Sequence, residues 1–130
     1  MGYFTRAALI AAMPGNDRLP SLASTDLDAF LKAFRSEAPP ILRIGLVVST
    51  LLYHASPVFT VFVPLPAGLL PERLRVKHLS KLCGHPWYPI RSLAFNLKMI
   101  AGLCWGQDAA VRAQFGMAPL PADPGTWRTT

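Results

Sequence analysis

The hydrophobic positions between residues 25 and 38 recur with the period of an α-helix. The apolar side chains of this pattern are Leu27, Phe30, Leu31 and Phe34. Their i, i+3, i+4, i+7 spacing places them on one helix face, with polar residues on the other. Thr25 is the predicted N-cap, and the pair Pro39 and Pro40 ends this helix and can open the next one.

The second half of the chain repeats this helical pattern. We expect one helix from Pro71 to about Gly84, a longer one from near Pro89 to Gly106, and a short one capped by Asp108 that ends at Gly116. Proline and acidic residues favour the starts of helices, and glycine favours their ends, so local sequence alone suggests these boundaries.

Residues 44–71 contain no Lys, Arg, Asp or Glu. A helix of this length and apolar character could span a bilayer. However, Pro57, Pro64 and Pro66 interrupt the block, and a proline removes a backbone donor from a helix. We therefore predict a helix over residues 41–56 followed by a short apolar extended segment over 58–63. A monotopic or partner-buried element is favoured over a membrane span.

These elements predict an all-α protein, a small bundle of about four to five helices. Residues 1–24 are expected to form an apolar N-terminal segment and a loop, and the apolar run near the start lacks the features of a cleaved signal. Residues 25–116 are expected to form the helical domain. Residues 117–130 are rich in proline and are predicted to be an extended tail.

Composition narrows the class of protein further. Of 130 residues, 52% are hydrophobic and only 15% charged, while 13 are proline and the net charge is +6. These values exclude a disordered acidic tail, a coiled coil and a disulfide-dense scaffold. Cys83 and Cys104 could form one bridge, although two free, buried thiols are the favoured interpretation.

The positive charge is concentrated directly after the apolar block. Between Glu72 and Asp108 there is no acidic residue, and Trp87 and Tyr88 lie within this basic stretch. Basic residues beside apolar surface are attracted to anionic lipid, and amphipathic rings favour the headgroup level. A solvated helix face is the alternative interpretation. The predicted membrane- or partner-binding residues are Arg73, Arg75, Lys77, Lys81, Trp87, Tyr88, Arg91, Trp105 and Trp127.

No pattern in the chain points to catalysis. It has no glycine-rich phosphate loop and no nucleophile-elbow motif. His78, Cys83 and His85 lack a second pair with metal-ligand spacing, and no nucleic-acid-binding motif accompanies the isoelectric point of about 9.9. We therefore expect no catalytic residue, no metal or cofactor in this chain, and no nucleic-acid partner.

Part of the chain resembles a known enzyme family. The residues concerned are Leu70–Leu74, Pro89–Lys98, Trp105 and Ala110–Gly116. Their order is similar to the hydrophobic helical region that precedes the flavin domain in long-chain alcohol oxidases of the glucose–methanol–choline oxidoreductase family, and to the small proteins that accompany such enzymes in bacteria. The resemblance covers residues 25–118 and lacks the family's flavin-binding glycine motif and catalytic histidine region. It implies an accessory part, with FAD held by a separate, larger flavoprotein subunit.

The sequence thus predicts a non-catalytic accessory subunit of a larger oxidoreductase. It would stabilise that enzyme, tether it to a membrane surface, with the cytoplasmic side favoured, or shape the entry of an apolar substrate. One alternative is a membrane-embedded subunit of an electron-transfer or photosynthetic complex, in which residues 41–63 cross lipid. Another is a soluble helical module that binds an apolar ligand.

Overall fold

The computed structural model describes residues 2–121, which fold into α-helices joined by turns. The helices are α1 (Gly2–Ala12), α2 (Leu27–Glu37), α3 (Pro40–Ala55), α4 (Pro57–Thr60), α5 (Glu72–Cys83), α6 (Tyr88–Gln107) and α7 (Ala109–Gln114). Two 3-10 turns, Leu22–Ser24 and Ala67–Leu69, lie in the connections. This part of the chain contains no β-strand, and five of its helices are at least seven residues long. The predicted small all-α bundle is therefore confirmed.

Helix α6 is the centre of the bundle, because α1, α3, α5 and α7 all pack against it. Its buried side chains are Ala94, Leu97, Ile100, Ala101 and Cys104. They recur at helical spacing and form one apolar stripe. Fully burying a leucine or isoleucine side chain contributes about 1.5–3 kcal/mol, so this stripe is a large part of the core's stabilisation.

Helix α1 belongs to the same core as the helices that follow it. Ala8 and Leu9 are fully buried, and α1 contacts α3, α5 and α6. The backbone N–H of Leu22 donates to the carbonyl of Met13 at 2.9 Å, which folds the intervening loop back onto α1. Leu22 is itself fully buried. Helix α1 and Leu22 therefore pack as part of the helical bundle.

The helix caps differ in one place from those expected. Asp26 caps α2, because its carboxylate accepts the backbone N–H of Ala29 at 3.2 Å. The predicted cap at Thr25 is wrong, since the Thr25 hydroxyl instead donates to the carbonyl of Leu22 at 2.6 Å. Asp108 caps α7 as predicted.

The ends of the last two helices follow the local sequence closely. Helix α6 continues through Gly106 to Gln107, so the predicted end at Gly106 is wrong by a short distance. Gly116 follows α7 with a φ of +69°, a left-handed conformation that glycine adopts without a steric cost. Residues 117–121 are non-helical and exposed. The rest of the predicted tail lies outside the described residues.

The apolar block is divided as its prolines suggested, but its second piece is helical. Pro57 opens the single turn α4, so the extended conformation predicted from residue 58 is wrong as far as Thr60. Proline is well suited to the first turn of a helix, where its missing N–H has no partner to lose. Residues 61–66 then leave the helix.

Across residues 2–121, no helix combines the length and the hydrophobicity needed to cross a membrane.

Candidate functional site

A chain of buried hydrogen bonds joins α3, α4 and α5. His78 on α5 is fully buried, and its Nε2 lies 2.7 Å from the carbonyl oxygen of Tyr53, to which it donates. Its Nδ1 lies 2.5 Å from the hydroxyl of Thr60. In the neutral ring this nitrogen is an acceptor, so Thr60 donates to it. The ammonium group of Lys81 donates to the carbonyl of Thr60 at 2.7 Å. Together these bonds hold α4 against α5.

Burial shifts the pKa values of two residues in this chain of hydrogen bonds, His78 and Tyr53. Desolvation lowers the pKa of His78, although its hydrogen bond to the Tyr53 carbonyl opposes the shift. Desolvation also raises the pKa of Tyr53 to about 12. The Tyr53 hydroxyl is buried and has no hydrogen-bond partner among the described residues. Both ring nitrogens of His78 are bonded to the protein.

Four exposed aromatic side chains lie close to Thr60 or Lys81 in the sequence. The exposed fraction is 80% for Phe59 and Phe62, 70% for Trp87 and 71% for Tyr88. Two cations accompany them: Lys81 Nζ lies 5.7 Å from the Phe62 ring centroid, and the Arg91 guanidinium lies 5.7 Å from that of Tyr88. Both are cation–π distances. We call these residues, Phe59, Phe62, Lys81, Trp87, Tyr88 and Arg91, the aromatic end.

The backbone holds two of these aromatic residues in place. Phe62 has a φ of +59°, the left-handed region that a bulky side chain rarely adopts. In the turn between α5 and α6, the backbone N–H of Trp87 donates to Nδ1 of His85 at 3.0 Å. The His85 and Trp87 rings also meet edge to face at 6.4 Å. The local structure thus presents Phe62 and Trp87 to the outside.

An apolar groove of about 590 Å³ lies between α3 and α4 on one side and the α5–α6 connection on the other. Its apolar lining consists of Leu52, Ala55, Phe59, Leu82, Trp87 and Ile90. Its other lining residues are Ser56, Thr60 and His85. Phe59 and Trp87 therefore belong both to the groove and to the aromatic end.

Two cations lie next to residues that line the groove. Lys81 and Arg91 each donate to the carbonyl of a lining residue, Lys81 to Thr60 at 2.7 Å and Arg91 to His85 at 3.4 Å. In the sequence, Glu72 is the only acidic residue between Glu37 and Asp108. It begins α5, about 15 Å of helix away from the end that lines the groove. The groove thus has a positive rim.

The predicted basic residues of α5 divide between two sides of that helix. Arg73, Lys77 and Lys81 are four residues apart, which places them along one exposed stripe. Arg75 lies on the side facing α1, where it lines a small cavity with Ile10. Of the four, Lys81 belongs to the aromatic end through its contact with Phe62.

The three tryptophans occupy different surroundings. Trp87 is exposed at the groove, whereas Trp105 is only partly exposed and has partners within the bundle. The indole N–H of Trp105 donates to the carbonyl of Pro20 at 2.9 Å. The centroids of the Trp105 and Phe115 rings are 5.7 Å apart. Trp105 therefore anchors the loop before α2 and the end of α7. Trp127 lies outside the described residues.

Helix α3 presents a second apolar surface, which we call the α3 face. Its exposed side chains are Ile41, Ile44, Val48 and Leu51. They recur at intervals of three and four residues and therefore form one stripe along the helix. Unlike the aromatic end, this stripe contains no aromatic residue and no charge.

The thiols and histidines form no metal site within residues 2–121, where no group of three or more His, Cys, Asp and Glu side chains is close enough to hold an ion. Cys83 and Cys104 are both free. Burial raises the pKa of the Cys104 thiol, which lies 3.7 Å from the Thr25 hydroxyl.

Sequence reasoning did not identify Phe59, Phe62 or His85 as site residues. Both phenylalanines lie in the apolar block, where a buried position was equally consistent with the pattern. Two features of the sequence mark this region: Pro57 interrupts the apolar run, and His85 immediately precedes Pro86 and Trp87 in the turn before α6. Neither feature reveals which side chains face outward.

Comparison of the chain with family models, with curated proteins and with solved structures finds no match in any of the three.

Proposed function

We propose that this protein is a non-catalytic accessory subunit that docks on an anionic lipid surface and holds a larger enzyme there. The observation that carries the proposal is the aromatic end, where four aromatic side chains are at least 70% exposed beside Lys81 and Arg91. A monomer that functions in water without a partner rarely keeps such a group of rings exposed.

The chemistry of the aromatic end suits the headgroup region of a bilayer. Tryptophan and tyrosine are enriched at that depth, and exposed phenylalanine rings can enter the acyl boundary. Each lysine or arginine near an anionic surface contributes about 1 kcal/mol of attraction. The cytoplasmic leaflet carries the anionic lipids, so the proposed location is peripheral, on that side.

The α3 face supports a second contact, with protein. It is apolar and uncharged, like the centre of a permanent protein–protein interface. A lipid-binding surface would be expected to carry cations, which this face lacks. We propose that a larger flavoprotein oxidoreductase covers it, with FAD held by that partner. The choice of a flavoprotein depends on the resemblance of residues 25–118 to the helical region of long-chain alcohol oxidases.

Vesicle co-sedimentation tests the lipid contact. The protein is expected to sediment with vesicles that contain phosphatidylglycerol, and much less with vesicles of phosphatidylcholine alone. Lys81→Gln combined with Arg91→Gln should weaken this binding by about 2 kcal/mol, a factor of about 30. Salt at about 1 M should reduce the binding of the unmodified protein, since it shortens the Debye length to about 3 Å.

The matched control is Arg18→Gln combined with Lys32→Gln, two exposed cations outside the aromatic end. This pair lowers the net charge by the same amount and should change binding much less. Equal losses in the two double variants would mean that net charge, and not the aromatic end, directs the protein to lipid. That result would overturn the proposed orientation.

The aromatic contribution is tested separately. Phe59→Ser combined with Phe62→Ser should reduce vesicle binding at high salt, where the hydrophobic contribution dominates. Met117→Ser combined with Leu120→Ser removes two exposed apolar side chains elsewhere and serves as the control. Unchanged binding in the phenylalanine variant would contradict insertion of these rings.

Co-expression with a candidate large flavoprotein oxidoreductase tests the partner. The two are expected to elute together in size-exclusion chromatography, with flavin absorbance in the shared peak. Ile44→Glu combined with Leu51→Glu places charges on the α3 face and should separate them. Independent elution of the unmodified proteins would remove this partner, whatever the result with vesicles.

A further inference from the structure

The apolar groove has the size and lining of a small-molecule site. Its volume of about 590 Å³ falls within the range of about 300–1,000 Å³ that is usual for ligand pockets. Six apolar side chains line it, and only a few polar atoms interrupt them. An apolar lining of this kind favours an aliphatic chain over a polar ligand.

Three side chains at the groove, His85, Lys81 and Arg91, have N–H donors that lack an acceptor in the part of the chain that the structure describes. The backbone N–H of Trp87 occupies Nδ1 of His85, so the neutral ring carries its proton on Nε2. That N–H has no protein partner within the described residues. Lys81 and Arg91 each make one hydrogen bond to a carbonyl of a lining residue and have further N–H groups to offer. An occupant with an acceptor at the rim would satisfy these donors.

The positive charges of Lys81 and Arg91 favour a ligand whose head group is negatively charged. Both fixed charges at the rim are positive, and the nearest acidic residue in the sequence, Glu72, lies at the far end of α5. An anion is therefore attracted to the rim and a cation is repelled. A carboxylate forms charge-assisted hydrogen bonds with both lysine and arginine, and each of these two residues is bonded to the carbonyl of a lining residue.

We infer that the groove binds one long-chain carboxylate, with its aliphatic chain along Leu52, Ala55 and Leu82 and its carboxylate at Lys81 and Arg91. This binding goes beyond docking on a lipid surface. It does not depend on docking, because a carboxylate monomer reaches the groove from water. The groove and the docking surface share Phe59, Trp87, Lys81 and Arg91, whereas Ala55 belongs to the groove and Phe62 to the aromatic end.

Isothermal titration calorimetry with dodecanoate, below its micelle-forming concentration, tests the inference. One dodecanoate is expected to bind per chain. Dodecyltrimethylammonium, which has the same chain and the opposite charge, should bind at least tenfold more weakly. Arg91→Gln should weaken dodecanoate binding by about tenfold, the size expected for the loss of one charge-assisted hydrogen bond, and leave dodecan-1-ol binding unchanged. Equal affinity for the anion and the cation would overturn the inference.

Filling the groove separates ligand binding from vesicle binding. Ala55→Phe places a ring in the groove and should abolish dodecanoate binding while sedimentation with anionic vesicles persists. Phe62→Ser should weaken vesicle binding at high salt and leave dodecanoate binding unchanged. Ala110→Phe adds the same ring at an exposed position on α7 and is the control. Retention of dodecanoate binding by Ala55→Phe would place the ligand elsewhere.

Amide chemical-shift mapping keeps the inference testable if Ala55→Phe does not fold. In the unmodified protein, dodecanoate should shift the resonances of Ala55, Phe59 and Trp87, together with the Trp87 indole N–H. Shifts centred on the α3 face would show that the ligand covers exposed apolar surface and not the groove, and would overturn the assignment.

Discussion

Replacement of Thr60 by valine removes one hydrogen bond from the buried chain and leaves the shape of the side chain almost unchanged. The Thr60 hydroxyl donates to Nδ1 of His78 at 2.5 Å, and the ring of His78 is fully buried. A methyl group in the same place cannot donate. Nδ1 would then be a buried acceptor without a partner, and such a group costs about 1–3 kcal/mol. We expect the free energy of unfolding to fall by about 2 kcal/mol.

Urea unfolding followed by far-ultraviolet circular dichroism measures this loss. With an m-value of about 2 kcal/mol/M for a small domain, the midpoint should fall by about 1 M. Thr50→Val is the matched control, since Thr50 is also buried and its hydroxyl donates to the carbonyl of Leu46 within α3. That carbonyl keeps its helical hydrogen bond, so the control should lose much less stability.

A double-mutant cycle identifies the interaction. In a His78→Leu background the acceptor is absent, and Thr60→Val should then cost no more than Thr50→Val. Equal destabilisation by the two threonine substitutions in the unmodified chain would refute the reasoning. It would mean that the Thr60–His78 hydrogen bond contributes nothing beyond what any buried threonine loses.

Three further predictions concern pH and strain. Because burial lowers the pKa of His78 below 6.5, the unfolded chain binds a proton that the folded chain does not, so the urea midpoint should fall as the pH drops from 6.5 towards 5.5; His78→Gln should flatten this dependence. The pKa of Tyr53 rises from 10.0 to about 12, so stability should decline between pH 10 and 12, by about 3 kcal/mol if no other group contributes. Tyr53→Phe should abolish that part of the decline and, because the hydroxyl has no partner among the described residues, should not destabilise the protein at pH 7; a clear loss at pH 7 would contradict this. Phe62→Gly should be more stable than Phe62→Ala by about 1 kcal/mol in thermal unfolding, because both lose the ring and only glycine accepts a φ of +59° freely; equal stability would argue against strain at this position.

The local features of the sequence were sufficient to predict most helix boundaries. Pro40 and Pro57 open α3 and α4, Asp108 caps α7, and Gly116 follows it. These signals act between residues a few positions apart, so no knowledge of the fold is needed to interpret them. The wrong cap at Thr25 is an error of one residue, because Thr25 and Asp26 are neighbours and either side chain could have capped α2.

The sequence did not predict which apolar residues are buried in the bundle and which are exposed. Leu9 and Phe59 both lie in apolar stretches, yet Leu9 is fully buried in the core and Phe59 is among the most exposed side chains of the aromatic end. Similarly, the sequence predicts the same binding role for Trp87 and Trp105, but Trp87 is 70% exposed, whereas the Trp105 indole N–H donates to Pro20 and its ring packs against Phe115. The groove is lined by residues of α3, α4 and the α5–α6 connection. Local sequence patterns do not predict that these elements meet.

The sequence by itself therefore determined the helical class, the divided apolar block and the acid-free basic stretch after it. Each of these depends on residue type and short-range spacing. Only the tertiary structure decided that α1 is part of the core, that His78 is held between Tyr53 and Thr60, and that Lys81 and Arg91 border one groove. The physical reason is that burial and hydrogen-bond partners depend on which helix faces meet, and those meetings join residues far apart in the chain.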